Sequence, residues 1–408
     1  MNPQMTPYRA VIHRGGTSKA IFLMENELPK DQEQRDKVIR AIFGSPDKRQ
    51  IDGLGGADVL TSKLAVIGPS RRAGADVEYT FAQVSFDSEL VDYSGNCGNI
   101  SAAVGPFAID EGLVPAVEPV TRVRIYQTNT DCILIAEVEV ADGKSKTEGT
   151  TEIDGVPGAG SPIMLDFSDT VGSTTGKLLP TGHTKDQIDV EGFGAFTVSI
   201  VDAGNVVIFI EAGSLGLSGA ESSAELEADK ALLDKIEAIR STVCVKIGLC
   251  KSREEATKYH AYAPFFAIVS KPARYVSESK GNTVTERDVD ITARLLFMLH
   301  VHKTYPGTGS VATGAAARVP GTLVYEQLNE DAKSRIPLRI GHPGGVMVIE
   351  ASASAKRDTG TAGTGTAGTA GTGAADSANT PFFERLAYVR TARRLMEGTA
   401  YVKNSVLQ

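Results

Sequence analysis

The sequence predicts an α+β protein made of two related halves, and three observations carry that expectation. Strand-like blocks outnumber helix-like ones along the chain. The length of 408 residues is more than one small core needs. Two Gly-rich turns, "SGNCGN" (94–99) and "PGTGSVATG" (306–314), each open a run of small residues suited to a tightly packed helix. One lies near the first quarter of the chain and the other near the third. Together they suggest two halves facing each other, each bringing a helix N-terminus to a shared cleft.

The elements follow in order. Val38, Ile39 and Ile42 mark a short helix, and Lys63 opens an apolar, strand-like run. The turn around Cys97 leads directly into the helix-like "ISAAVGPFAIDEG". "ILIAEVEV" (133–140) alternates as a half-buried strand does, and "FTVSIVDAGNVVIFIE" (196–211) reads as two strands around Asp202-Ala203-Gly204-Asn205. Leu232, Leu233, Ile236, Ile239, Val243 and Ile247 recur at helical spacing, which sets Cys244 near a buried face. Thr285 and Asp288 have capping-box spacing and predict a helix through "VDITARLLFMLH". "AYAPFFAIVSK" and "RIGHPGGVMVIEAS" add strands. The Thr/Ala/Gly tract at 359–373 lacks the large apolar side chains that offset chain ordering, so it reads as a surface loop inserted between strands.

Composition narrows the function. A formal net charge of −8 argues against a nucleic-acid partner or an anionic membrane surface, since both select basic proteins. It leaves room for a small anionic ligand held by a few local cations. No run of eighteen apolar residues and no signal-peptide core is present, so the expectation is a soluble, cytoplasmic protein. Cys97, Cys132, Cys244 and Cys250 form no C-x-x-C pair and no disulfide framework, and free thiols are expected.

Several motif readings fail on spacing. "GSTTGKLL" (172–179) resembles a phosphate-binding loop, but its glycines are too close and Leu178 stands where Ser or Thr is required. H-E-x-x-H and G-x-S-x-G are absent, and His300-Val301-His302 alone makes a poor metal site. Cys97 has two readings: a small residue tolerated at a tight turn, or a thiol whose thiolate is favoured by the helix N-terminus. Lys63 either reaches the surface or points into a cleft, where desolvation lowers its pKa. "HRGGTSKAIF" offers Arg14, Thr17, Ser18 and Lys19 beside two glycines, a donor set that suits a carboxylate or a solvated turn equally.

Five segments tie these residues together. "RGGTSKA" (14–20), "GSPDKRQIDGLGGADVLTSK" (44–63), "SGNCGNISAAVGPFAI" (94–109), "VGSTTGKLLPTG" (171–182) and "RTARRLMEGTAYV" (390–402) closely resemble the PrpF family of unsaturated di- and tricarboxylate isomerases. That family includes 2-methylaconitate, 3-methylitaconate and aconitate isomerases and 4-oxalomesaconate tautomerase. The resemblance implies a diaminopimelate-epimerase-like fold of two pseudo-symmetric halves, each a curved β-sheet around a central helix, with the active site between them. We place the halves at 6–185 and 186–402, with the low-complexity loop at 358–380 and the last strands free to return to the first half.

The family's catalytic lysine and cysteine fall on Lys63 and Cys97, which the resemblance makes an acid–base pair. Arg14, Thr17, Ser18, Lys19, the Gly98 and Asn99 backbone, and Thr308 and Ser310 of the second turn are then expected to hold substrate carboxylates, with His302 aligned to a family histidine. Epimerases of this fold carry a second cysteine before the second helix, and Val311 is placed at that point here. A symmetric two-thiol racemase is therefore not expected. The resemblance implies no metal and no redox cofactor, and a homo-oligomer is compatible with it. Keto–enol tautomerisation and non-catalytic carboxylate binding are the competing functions.

Overall fold

Glycines and alternating apolar residues set the first turn of the chain. β1 (Met5–Gly15) and β2 (Ser18–Met24) pair antiparallel, with Gly15 opposite Ser18 and Gly16 in the left-handed region at φ +50°. The computed structural model describes residues 3–354 and 381–407. The predicted loop at 358–380 lies outside the described residues. The chain separates into two units, Met1–Leu165 with Arg390–Gln408, and Asp166–Val389.

In the first unit the C-terminal strand, Ala392–Lys403, pairs antiparallel with the free edge of β1. On the other side β3 (Lys63–Pro69) runs parallel to β2, and β4 (Val77–Val84) runs antiparallel to β3. β4 is followed across the sheet by the short β5 (Val91–Asp92) and by β6 (Val120–Gln127), and β7 (Cys132–Ala141) closes the series against β6. Strand side chains alternate between faces. Ile21, Leu23, Leu64, Val66, Ala82 and Val84 therefore share one face, which packs on Val38, Ile39, Ile42 and Phe43 of α1 (Gln32–Phe43). Asp31 caps that helix by accepting from the Gln34 N–H, and Gly44 ends it in the left-handed conformation.

The opposite face receives α2 (Gly98–Asp110), in which every residue from Gly98 to Ile109 is buried. Such a helix needs small residues where it meets strands. A Cβ at Gly105 would lie 2.9 Å from Val138, and one at Gly15 only 2.4 Å from the Asn99 carbonyl oxygen. These close approaches fix where the α2 N-terminus sits against the β1–β2 turn.

His13 shares that face, with its ring 5.0 Å from the Phe22 ring and 5.9 Å from Phe107. Neither ring nitrogen has a hydrogen-bond partner. Burial first, then the Arg394 charge, holds its pKa at about 3. The unfolded ring takes up a proton near pH 6.5 while the folded one stays neutral, so stability present above pH 6.5 is lost as pH falls towards 3. His13→Phe is expected to remove about 2 kcal/mol of this loss at pH 5. Urea denaturation at pH 5 and pH 8 checks it, and an equal effect at both pH values would contradict the assignment.

The second unit repeats the plan. β8 (Asp186–Val190), β9 (Gly194–Ala203) and β10 (Asn205–Glu211) form an antiparallel series, and β11 (Phe265–Ser270) joins β10 in parallel. β12 (Ile291–Phe297) pairs with β11, and β13 (Leu338–His342) and β14 (Gly345–Ser354) extend the sheet. α3 (Lys230–Lys246) covers one face through Leu232, Ile236, Ile239 and Val243. α4 (Gly307–Ala316), buried at all ten residues, packs on β9, β10 and β14.

The helix predicted through "VDITARLLFMLH" is instead β12. All seven of its residues are buried, so no polar helical face exists, and neighbours pair along both edges. The Thr285 backbone N–H donates to the Asp288 carboxylate as in half of a capping box, but the Thr285 hydroxyl donates to it too and the bonds close a turn. The apparent phosphate loop is also explained locally: the Thr174 and Thr175 N–H groups donate to buried Asp202, so the anion it cradles belongs to the protein. Burial raises the Asp202 pKa to about 6 against those bonds.

All four cysteines are free thiols, with Cys244 and Cys250 side by side at 3.0 Å. Among the described residues no helix is long and apolar enough to cross a membrane.

Candidate active site

Lys63 is the first residue of β3, opposite Ala20 of β2 and Gln83 of β4. That register turns its side chain to the α2 face. Only 2% of the residue is exposed, and its Nζ donates to Gln83 Oε1 at 2.7 Å and lies 5.4 Å from the Phe81 ring centroid. Burial lowers the lysine pKa, while the charges of Cys97 and Asp58 oppose the shift. The lysine thus lies within electrostatic reach of the thiol.

Cys97 is the N-cap residue of α2, extended at φ −113° and ψ 100°, and its side chain makes no capping hydrogen bond. The residue is a buried free thiol. Its carbonyl accepts from the Ser101 N–H at 2.9 Å and so starts the helix. The N–H groups of Gly98 and Asn99 fall in the first turn, where a helix offers donors that have no intrahelical acceptor.

The Asn99 side chain links three segments. Its Nδ2 donates to Thr17 Oγ1 at 3.0 Å, and its Oδ1 accepts from Arg390 Nε at 2.9 Å. Ser18 lies on the α2 face with Ala20 and Phe22, and its hydroxyl is buried without a hydrogen-bond partner. The first unit therefore brings Lys63 and Cys97 together, and sets Thr17, Ser18, Gly98 and Asn99 at the same turn and helix start.

Other candidates are placed differently. Lys19 alternates with Ser18 and takes the α1 side of β2. Arg14 donates to the carbonyls of Gly16 and Thr391, which holds the turn itself. In the second unit Thr308 Oγ1 accepts from Asn205 Nδ2 at 2.9 Å, and Ser310 Oγ donates to the Gly307 carbonyl at 2.7 Å. His302 is buried, with its Nδ1 accepting from the Thr304 N–H at 3.2 Å and its ring 5.8 Å from Phe297.

The expectation that Val311 takes the place of a second thiol is corrected. The N-cap of α4, equivalent to Cys97 in α2, is Pro306, while Val311 lies inside the helix and is fully buried. Gly-rich composition continues into the helix, so it does not mark the helix start that sets this position. The conclusion drawn from it is unchanged, because proline has no thiol.

Sequence reasoning missed Gln83 and Arg390. The signal for Gln83 was present: a polar residue at an inward position of the apolar strand "VEYTFAQV". Arg390 stood in a quoted motif, but nothing local to it points to Asn99.

Comparison with known proteins gives the family and the fold. Residues 5–364 match the family described as PrpF protein. The chain is 50% identical over 397 residues to 3-methylitaconate isomerase of Eubacterium barkeri, covering 97% of each. It is 38% identical over 364 residues to 2-methyl-aconitate isomerase of Shewanella oneidensis, covering 86% of this chain and 91% of that one. Among solved structures, a methylitaconate-delta-isomerase superposes with a TM-score of 0.77 at 49% identity, over 99% of this chain and 98% of the other. A hydroxyproline epimerase from Agrobacterium vitis, 10% identical, matches with a TM-score of 0.54 over 97% of this chain and 93% of its own, a likeness of fold alone. The diaminopimelate-epimerase-like fold is thereby established.

Proposed function

The chain belongs to the PrpF family, and from that premise we propose that this isomerase of unsaturated carboxylates moves an allylic double bond by proton transfer between Cys97 and Lys63. The observation that carries the mechanism is the pairing itself: a buried lysine of lowered pKa, electrostatically coupled to a thiol at a helix N-terminus. Binding an acid alone does not need the thiol.

The chemistry follows from the substrate class. A C–H next to a carboxylate and a double bond is weakly acidic, so its removal needs a placed base and donors for the dienolate that forms. One of the pair, Cys97 as thiolate or Lys63 as amine, takes the proton. The other delivers a proton to the far carbon of the allyl system, and the double bond shifts. In the reverse direction the roles exchange. The reaction is redox-neutral and needs no electron acceptor.

The unpartnered Ser18 hydroxyl, Thr17 Oγ1 and the Gly98 and Asn99 N–H groups suit a substrate carboxylate. We place the substrate in the 3-methylitaconate class, for which the shift turns the methylene carbon into a methyl group. The 50% identity to 3-methylitaconate isomerase supports that choice over the methylaconitate, aconitate and oxalomesaconate classes.

Incubating the protein with each acid and following conversion by proton NMR tests the reading. Fastest turnover of 3-methylitaconate supports it. Turnover of 4-oxalomesaconate alone would establish the tautomerase instead, and saturable binding of an acid without conversion would establish a carboxylate-binding protein.

A further inference from the structure

Resting on the Cys97–Lys63 reading, we infer that Gln83 is a positioning residue, which aims the Lys63 amine without adding a charge beside it. The geometry is over-determined. Gln83 Nε2 donates to the carbonyl oxygens of Ser62 at 2.9 Å and Val59 at 3.2 Å. Both of its N–H bonds are thereby committed to the loop that precedes β3. A flipped amide would set Oε1 against those two carbonyl oxygens and the NH2 group against the lysine, so Oε1 must point at Lys63 Nζ, 2.7 Å away. The side chain is only 2% exposed, so water cannot replace either bond.

The identity of the residue matters as much as its place. An amide oxygen accepts from lysine whether the amine is charged or neutral. A carboxylate at the same position would form a buried ion pair and hold the lysine protonated. Titratable groups whose charge bears on Lys63 include Cys97 from α2 and Asp58 from the preceding loop. Asp92 stands one strand further, opposite Gln83 in the β4–β5 register. With Gln83 neutral, burial dominates these influences and the lysine can exchange protons with its partner. Ser62, whose carbonyl anchors Gln83, is itself held by Gln50 and by the Val84 carbonyl. The aim of the amine is therefore fixed by the strand pair β3–β4.

The experiment uses the full chain labelled with [ε-13C]lysine, with the Lys63 signal assigned by its loss in Lys63→Ala. Its titration is followed in the wild type, Gln83→Glu and Gln83→Leu, beside steady-state kinetics on the acid that is turned over. Gln83→Glu is expected to raise the Lys63 midpoint by about 1–3 units and to move the pH–rate profile with it. Gln83→Leu is expected to lower kcat by about 10–100-fold while KM stays within about threefold, because substrate is held elsewhere. An unmoved midpoint in Gln83→Glu overturns the inference, as does an unchanged kcat in Gln83→Leu. Should no acid be turned over by the wild type, the proposed function fails, and the NMR midpoints still decide the role of Gln83. Circular dichroism melts identify any variant that does not fold, and Gln83→Met then replaces Gln83→Leu.

Discussion

Cys97→Ser is expected to lower kcat/KM for the isomerised acid by about 10²–10⁴-fold while the protein stays folded and binds the acid. Serine keeps the shape of the N-cap and is a favoured residue there, so α2 should start as before. What it lacks is an ionisable group able to take or give a proton near neutral pH. Lys63→Ala is expected to cost a similar factor, and the double variant little more than either single one, because the two residues act as a unit. The comparison of all three in one steady-state assay, with isothermal titration of the acid into each, separates chemistry from binding. Retention of more than about a tenth of the activity in Cys97→Ser would remove the thiol from the mechanism.

The largest effect on stability is expected in the second unit, at Asp290. This carboxylate is fully buried and accepts from Arg339 Nη2 at 2.8 Å and the Arg339 backbone N–H at 2.8 Å, and also from Arg335 and Asn329. It ties β13 to the turn before β12. Asp290→Ala would leave two guanidinium groups without their counter-charge, and breaking one side of a buried pair costs about 3–5 kcal/mol. The lower end is expected, since the Arg335 and Arg339 side chains remain 39% and 29% exposed and can recruit water.

The pH dependence has a definite sign. Burial pushes the Asp290 pKa up, but the Arg339 hydrogen bonds and charge outweigh it and bring it below the ordinary 3.8. Its stabilisation is therefore present above the unfolded pKa and lost as pH falls through the folded value. Urea unfolding of wild type and Asp290→Ala should differ most at pH 7 and converge at strongly acidic pH. A difference below about 1 kcal/mol at pH 7 would mean that the cluster contributes no net stability.

Much of this arrangement was legible in the chain. The Gly-rich turn at 94–99 announces α2 because a helix buried on all sides can approach strands only through small residues, as Gly15 and Gly105 show, whereas the segment 306–314, read as a turn, is itself the body of α4. Cys97 at a helix start and Lys63 at a strand start followed from local pattern, and the family resemblance made them a pair. Three things were not legible. The buried strand β12 carries apolar residues on both faces, and periodicity then cannot separate strand from helix. The start of α4 at Pro306 was obscured because Gly-Thr-Gly composition extends past it. The Asn99–Arg390 bond joins segments 291 residues apart, and no local signal encodes it.

The central claim is a relay of two different groups, and its most direct test is the fate of the transferred proton. The protein is equilibrated in D2O and given 3-methylitaconate, with proton NMR following the new methyl group. The account predicts about one solvent deuteron in that methyl per turnover, delivered by a group other than the one that took the substrate's proton, and none in Cys97→Ser or Lys63→Ala. Conversion with the original proton carried intact to the methyl carbon would contradict it, because one group would then be doing the work of both.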